Sequence, residues 1–172
     1  MTDRFVPAGG LLYVAGMAEP AERHMSLTEF LEWDDGTGTR YELIDGRPVA
    51  MVPPIEAHGT IVANLAAAIR PKLRPPCRVV VEAGITPADR ADTWYQPDLV
   101  VTFAPAERGA RAIPEPRLIV EVLAPSRAAH DRGVKLADYR KIASVEQILM
   151  GQARIGTSRS GSAPRTAGKF RI

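Results

Sequence analysis

The sequence predicts a single α/β (α+β) domain in which helices flank a mixed central sheet. Residues 94–103 and 117–126 form two apolar runs that are rich in β-branched residues and bounded by prolines, as buried strands are. Residues 56–73 instead carry apolar side chains at helical spacing, and a second helix is predicted at residues 129–143. A chain of 172 residues is long enough to bury one core around these elements.

Each predicted strand contains one carboxylate, Asp98 in the first and Glu121 in the second. An ionised carboxylate inside an apolar strand costs several kcal/mol or more unless a cation or several hydrogen bonds compensate it. Because side chains alternate along a strand, Asp98 shares a face with Val100, and Glu121 shares a face with Ile119. On neighbouring strands the two carboxylates could share one cation. Pro97 indicates that the first strand starts near an edge or a bulge.

The N-terminal half begins with a short helix, because Ser26 and Glu29 have the spacing of a capping box. Residues 41–51 then predict a β-hairpin around an Asp45-Gly46 turn. Glu42 lies within its first strand. A solvent-facing position on a two-sided hairpin is the favoured interpretation of Glu42, and a functional role is the alternative.

The helix predicted from residue 56 should kink or end near Pro71. His58 lies near its start, on the same face as Ile61 and Val62. A histidine in this position usually packs against its neighbours, although at a helix N-terminus it could also contact an anion.

The C-terminal half adds a strand at residues 78–85, the helix at 129–143 and the start of a last strand at 145–150. Asp131, Lys135 and Tyr139 stand four residues apart on one face of that helix. Asp131 and Lys135 could form a surface ion pair. If the helix packs back over the sheet, Lys135 could instead reach the two carboxylates.

Composition excludes several classes of protein. A formal net charge of +2 is too small to indicate a nucleic-acid partner by itself, and the single cysteine excludes an internal disulfide or a cysteine-cluster zinc site. No apolar run approaches the roughly 18 residues that a membrane span needs. We therefore expect a cytoplasmic protein without membrane contact. We expect residues 1–25 to be a disordered extension, with Met25 a possible true start, and the basic 151–172 tail also to be disordered.

Five motifs in order resemble the Uma-two family of restriction endonucleases, which belongs to the PD-(D/E)XK nuclease superfamily. The resemblance spans residues 26–150, and beyond Met150 the chain diverges from the family pattern or is truncated. The motifs are Tyr41-Glu-Leu-Ile-Asp-Gly46, Pro53-Pro54 with His58, Pro97-Asp-Leu-Val-Val101, Val120-Glu-Val-Leu-Ala-Pro-Ser126 and Asp131-Arg-Gly-x-Lys135-Leu-x-x-Tyr139.

The resemblance implies a restriction-endonuclease-like core that cuts DNA with magnesium, or with manganese in its place. Asp98 and Glu121 match the metal-binding acids, with Glu42 as a further acidic residue and His58 as an accessory one. The superfamily lysine would stand two residues after Glu121, where this chain has Leu123. Lys135 is the expected replacement, and a homodimer would supply the two active sites needed to cut both strands.

Two other interpretations remain open on the sequence alone. The chain could be a catalytically degenerate relative that binds nucleic acid or protein, in which case Leu123 marks a lost site. Alternatively, the carboxylates could be satisfied by salt bridges, such as one between Glu121 and Lys135, in a domain without an active site. Metal binding by the folded wild type, and its loss in Asp98→Ala, would separate these interpretations.

Overall fold

The structure, a computed structural model, describes residues 24–123 and 128–152, without the side chains of residues 128–132. Its elements in chain order are α1 (Leu27–Glu32), β1 (Tyr41–Ile44), β2 (Arg47–Ala50), α2 (Glu56–Ile69), a 3-10 turn (Arg70–Lys72), β3 (Arg78–Val81), β4 (Leu99–Thr102), β5 (Pro116–Leu123), α3 (Ala128–Arg140) and β6 (Gln147–Gln152).

The main sheet has the strand order β3-β4-β5-β6. Strands β3, β4 and β5 are antiparallel neighbours, whereas β6 lies parallel to β5. A parallel pair requires a crossover connection, and α3 provides it. The predicted mixed sheet is therefore confirmed, and β1 and β2 form a separate hairpin beside it.

Helices cover both faces of the sheet, as predicted. On one face, Val101 and Val120 pack against Leu65 and Ile69 of α2. On the other face, Val100, Ile119 and Tyr95 cluster with two residues from α3 and the turn after it, Tyr139 and Ile142. The alternation along β4 and β5 thus places Asp98 and Glu121 on the α3 side of the sheet.

The N-terminal predictions hold with one correction. Ser26 caps α1 through a complete capping box with Glu29, and Asp45 and Gly46 form the hairpin turn with φ angles of 51° and 74°. Met25, which was assigned to the disordered extension, is instead 1% exposed, and its N–H donates to the Gly46 carbonyl at 2.7 Å. Met25 is apolar and directly precedes the helix cap, so it packs in the core beneath the hairpin.

The prediction of one strand over residues 94–103 was too long. Trp94 and Tyr95 form isolated bridges with Leu43 and Ile85, and β4 begins only after Pro97 and Asp98. Strand β4 lies between β3 and β5 and is therefore central and not at an edge. Pro97 is tolerated because it precedes the strand, so its missing N–H is not needed in the ladder. In the described strands, the register between β4 and β5 shifts at the C-terminal end of β4, between Val101 and Thr102.

The boundaries of the later elements also differ slightly from the predictions. Helix α2 ends at Ile69 and Pro71 lies in the 3-10 turn that follows, in agreement with the predicted end. Strand β3 ends at Val81, four residues before the predicted end at Ile85. Strand β6 continues past Met150 through Gln152, so the predicted tail boundary was two residues early. Residues 1–23 of the predicted extension and 153–172 of the predicted tail lie outside the described residues.

No helix in the described part of the chain has both the length and the apolar character needed to cross a bilayer.

Gly84 is a position where the fold depends on a missing side chain. A Cβ atom there would overlap the indole ring of Trp94, whereas a Cβ at Gly59 in α2 would enter open space. We expect Gly84→Ala to lower the free energy of unfolding by about 1–3 kcal/mol through overpacking. Gly59→Ala, the matched control, should be neutral or stabilising by up to about 1 kcal/mol, because alanine favours helix. Urea unfolding checks both variants, and equal stabilities would contradict the close packing at Gly84.

Candidate active site

Asp98 lies immediately before β4, and the strand register places it opposite Glu121 of β5. Its Oδ2 atom accepts a hydrogen bond from the Val122 N–H at 2.6 Å. The backbone carbonyl of Asp98 also accepts from the Glu82 N–H at 3.1 Å. Both hydrogen bonds come from backbone groups, so the position of this carboxylate is set by the sheet itself.

His58 is the second group that contacts Asp98. Its Nε2 atom lies 3.1 Å from Asp98 Oδ1, and both side chains are partly buried. The imidazole comes from the first turn of α2, the helix that packs on the other face of the sheet. His58 therefore has a specific partner and does not simply fill space, as the favoured interpretation of the sequence suggested.

Glu121 is a buried carboxylate, 7% exposed, whose Oε1 atom accepts a hydrogen bond from the Tyr139 hydroxyl at 2.5 Å. Burial raises the pKa of Glu121 to about 7, because the charged form loses its hydration. The nearby Lys135 charge and the Tyr139 hydrogen bond lower this pKa, while Asp98 and Glu42 raise it further. The contacts with Lys135 and Tyr139 therefore offset only part of the rise in the pKa of Glu121 that burial causes.

Lys135 extends from α3 between two carboxylates. Its Nζ atom lies 2.8 Å from Glu42 Oε1 and 3.6 Å from Glu121 Oε1, and only 12% of its side chain is exposed. The ammonium group also lies 5.5 Å from the centre of the Tyr95 ring. Lys135 and Tyr139 are one helical turn apart, so both side chains approach the Glu121 strand from the same face of α3.

The solvent-facing interpretation of Glu42 was wrong. Glu42 is 6% exposed, and its Oε1 atom accepts hydrogen bonds from the Gln96 N–H at 2.9 Å and from Lys135. The hairpin is not two-sided, because residues 93–96 pack along β1 through the Leu43–Trp94 bridge. This contact covers Glu42 and was not visible in the hairpin sequence.

The five predicted site residues all line one open cleft of about 1520 Å³, together with Leu123. They are Glu42, His58, Asp98, Glu121 and Lys135. The side chain of Asp131 lies outside the described residues. Sequence reasoning assigned no role to Tyr139 or Gln96, although the i, i+4 spacing of Tyr139 from Lys135 was a usable signal.

The donor set at the cleft floor suits a hard divalent cation. Asp98 and Glu121 offer carboxylate oxygens, and Mg²⁺ is commonly bound by one or two carboxylates together with waters and substrate phosphate oxygens. Among the described residues, no three His, Cys, Asp or Glu side chains form a ready-made metal centre.

Comparison with known proteins agrees with this geometry. Residues 27–154 match the model of the Uma2 family, which is described as a putative restriction endonuclease. The chain belongs to the Uma2 family. This membership supports a nuclease-like function, and it confirms the resemblance drawn from the five sequence motifs.

This Uma2 protein is similar to a curated protein and to a solved structure. An uncharacterized protein of Synechocystis sp. is 28% identical over 128 residues, which cover 73% of this chain and 67% of that protein. The crystal structure of a putative nuclease of the DUF820 family from Anabaena variabilis matches with a TM-score of 0.54 and 21% identity, covering 67% of this chain and 68% of that one. This second likeness shows a shared fold.

Removal of the Tyr139 hydroxyl tests the buried hydrogen bond to Glu121. We expect Tyr139→Phe to lower the free energy of unfolding by about 1–3 kcal/mol, because a buried carboxylate loses its donor. Tyr41→Phe is the matched control, since its hydroxyl also donates to a carboxylate, Asp35, but at an exposed position. Its effect in urea unfolding should be clearly smaller. Equal effects would mean that burial does not strengthen the Tyr139 contact.

Proposed function

We propose that this Uma2 protein is a magnesium-dependent endonuclease that hydrolyses phosphodiester bonds in DNA. One observation carries the proposal: Asp98, immediately before β4, and Glu121, in β5, both line one open cleft, with the Lys135 ammonium 3.6 Å from Glu121. The family supports a nuclease. The metal, the DNA substrate and the internal position of the cut are our inference.

Asp98 and Glu121 are the residues that would hold Mg²⁺ or Mn²⁺. When bound, the cation would supply positive charge to the scissile phosphate and lower the pKa of a water molecule. Glu121 is suited to this role because its carboxylate is held away from water with only partial compensation, so a cation would relieve the unfavourable burial of its charge.

The chain's own groups fix these two carboxylates and add positive charge. His58 and the Val122 N–H hold one oxygen each of Asp98, and Tyr139 holds Glu121. On this proposal, the Lys135 ammonium, 3.6 Å from Glu121 Oε1, would stabilise the negative charge that develops on the scissile phosphate. His58 and Tyr139 contact the carboxylates and are positioning residues on this proposal.

The proposal extends to assembly and location. Cutting both strands of a duplex requires two active sites, so a homodimer suits this activity. We infer that the protein works in a reducing compartment such as the cytoplasm, because its single cysteine cannot form an internal disulfide.

Asp98→Asn tests the metal site with little change in shape, because an amide oxygen can still accept the Val122 N–H. Nicking of supercoiled plasmid in Mg²⁺ or Mn²⁺ should fall about 10²-fold or more, since the metal loses a charged ligand. EDTA should abolish wild-type cleavage. Glu107→Gln, in the exposed loop after β4, is the matched control and should cleave like the wild type.

Circular dichroism should show that both variants are folded. Full cleavage by folded Asp98→Asn would contradict the proposed site. Cleavage that is insensitive to EDTA would contradict the metal dependence.

Lys135 could assist phosphodiester cleavage or could only neutralise Glu42, and a double variant separates these two roles. Lys135→Gln leaves Glu42 and Glu121 without their shared cation, so we expect a loss of about 3–5 kcal/mol in the free energy of unfolding. The double variant Lys135→Gln with Glu42→Gln removes one buried charge and should recover part of that stability in urea unfolding. Plasmid nicking should stay low in both variants. Recovery of nicking in the double variant would show that Lys135 only neutralises Glu42.

One observation favours a second candidate function. Leu123, at the place of the superfamily lysine, is 5% exposed and apolar. If Lys135 does not replace that lysine, the protein is a degenerate nuclease fold that binds nucleic acid or protein. Such a protein would bind DNA in a gel-shift assay but would not nick it in any divalent metal.

A further inference from the structure

A second cavity lies beside the catalytic cleft. It has a volume of about 530 Å³ and is lined by aromatic rings and two guanidinium groups. We call it the aromatic groove, and its defining residues are Phe30, Trp33, Arg40, Tyr41, Trp94 and Arg111.

The groove and the cleft lie on opposite faces of β1. Successive residues of a strand point to opposite sides, so Tyr41 lines the groove and Glu42 lines the cleft. Arg40, Glu82 and Gln96 line both cavities. The two spaces therefore meet at the start of β1.

Hydrogen bonds through Gln96 connect the groove to Glu42, one of the acids of the cleft. The Arg40 guanidinium contacts Glu82 Oε1 at 3.0 Å and donates to Gln96 Oε1 at 3.1 Å. The N–H of Gln96 in turn donates to Glu42. A ligand chain that passes Arg40 would have one part in the groove and the next part in the cleft.

The rings of the groove provide a surface for stacking. Trp33 and Tyr41 are partly exposed and pack edge to face, with ring centres 4.9 Å apart. Phe30 and Trp94 form the buried layer behind them, with ring centres 5.6 Å apart. Nucleobases stack on such rings with little dependence on sequence, and arginine side chains complement the adjoining phosphates.

Trp94 adds a polar group to this apolar surface. Its side chain is 8% exposed, and its Nε1–H has no hydrogen-bond partner among the described residues. A buried donor without an acceptor is unfavourable, and native proteins rarely leave one. A ligand with acceptor atoms, such as a base, could satisfy this donor after a small shift of the ring.

We propose that the aromatic groove binds an unpaired nucleobase of the nucleic-acid strand whose phosphate lies in the cleft. This inference rests on the proposed nuclease function and names the form of its substrate: the enzyme engages a strand with at least one base outside a duplex. Trp33 and Tyr41 stack on that base, and Arg40 contacts the phosphate that joins it to the scissile position.

The chain provides its own probe, because its two tryptophans, Trp33 and Trp94, both line the groove. A single-stranded oligodeoxynucleotide titrated into the wild type in EDTA should quench tryptophan fluorescence to saturation. The same quenching should occur in Asp98→Asn, since stacking needs neither metal nor cleavage. A blunt duplex of the same sequence should quench much less.

Affinity is measured by the anisotropy of a labelled single strand. Trp33→Leu should weaken binding by about 5-fold or more, because it removes a stacking face. Phe103→Leu is the matched control, a partly exposed aromatic ring outside the groove, and should bind like the wild type.

The binding measurements test the groove, whereas plasmid nicking tests the proposed nuclease function, so the two can fail separately. Two results would contradict base binding in the groove even if plasmid nicking depends on Asp98. One is binding detected by anisotropy without tryptophan quenching, and the other is unchanged affinity in Trp33→Leu. Equal quenching by a blunt duplex would overturn the requirement for an unpaired base. The wild-type quenching needs no substitution, so it decides the matter even if Trp33→Leu does not fold.

Discussion

The candidate site depends on the contacts that the Lys135 ammonium makes with two buried carboxylates at one end of the sheet. Three carboxylates, from Glu42, Asp98 and Glu121, line a cleft in which Lys135 is the cation that contacts two of them. Burial raises the pKa of Glu121 to about 7, and the contacts with Lys135 and Tyr139 offset only part of this rise. A core that only needed stability would place apolar residues here, because a buried ion pair seldom outperforms a well-packed hydrophobic contact. On the proposed function, a bound divalent cation would compensate part of the remaining negative charge.

The fold brings these groups together with few elements. The antiparallel register of β4 and β5 sets Asp98 opposite Glu121, and the parallel pairing of β5 with β6 requires the crossover helix α3. That helix returns over the same face of the sheet, so Lys135 and Tyr139 reach Glu121 from one helical turn. The crossover that completes the sheet therefore also delivers the lysine and the hydroxyl group. Because Lys135 is supplied by α3, the apolar Leu123 on β5 does not leave the site without a cation.

The sequence predicted those features of the structure that depend on interactions between neighbouring residues. The capping box at Ser26, the Asp45-Gly46 turn and the alternation around Glu121 each depend on a few adjacent residues, and each is confirmed. The burial of Glu42 was missed because it depends on residues 93–96, about fifty positions away. Met25 was missed for the same reason, since its contact with Gly46 arises only when the hairpin closes over it.

The start of β4, after Asp98, also depends on contacts between residues that are far apart in the sequence. Residues 94 and 95 leave the β4 ladder to bridge β1 and Ile85, which brings Gln96 against Glu42 and Arg40. The same departure sets Trp94 against Gly84 as the inner wall of the aromatic groove. One irregular segment thus shapes the inner wall of the groove and holds an acid of the cleft. On the proposed function, residues 94–96 would lie between a base that stacks in the groove and a phosphate in the cleft. This segment would then fix the distance between the two, and with it the position of the cut along the strand.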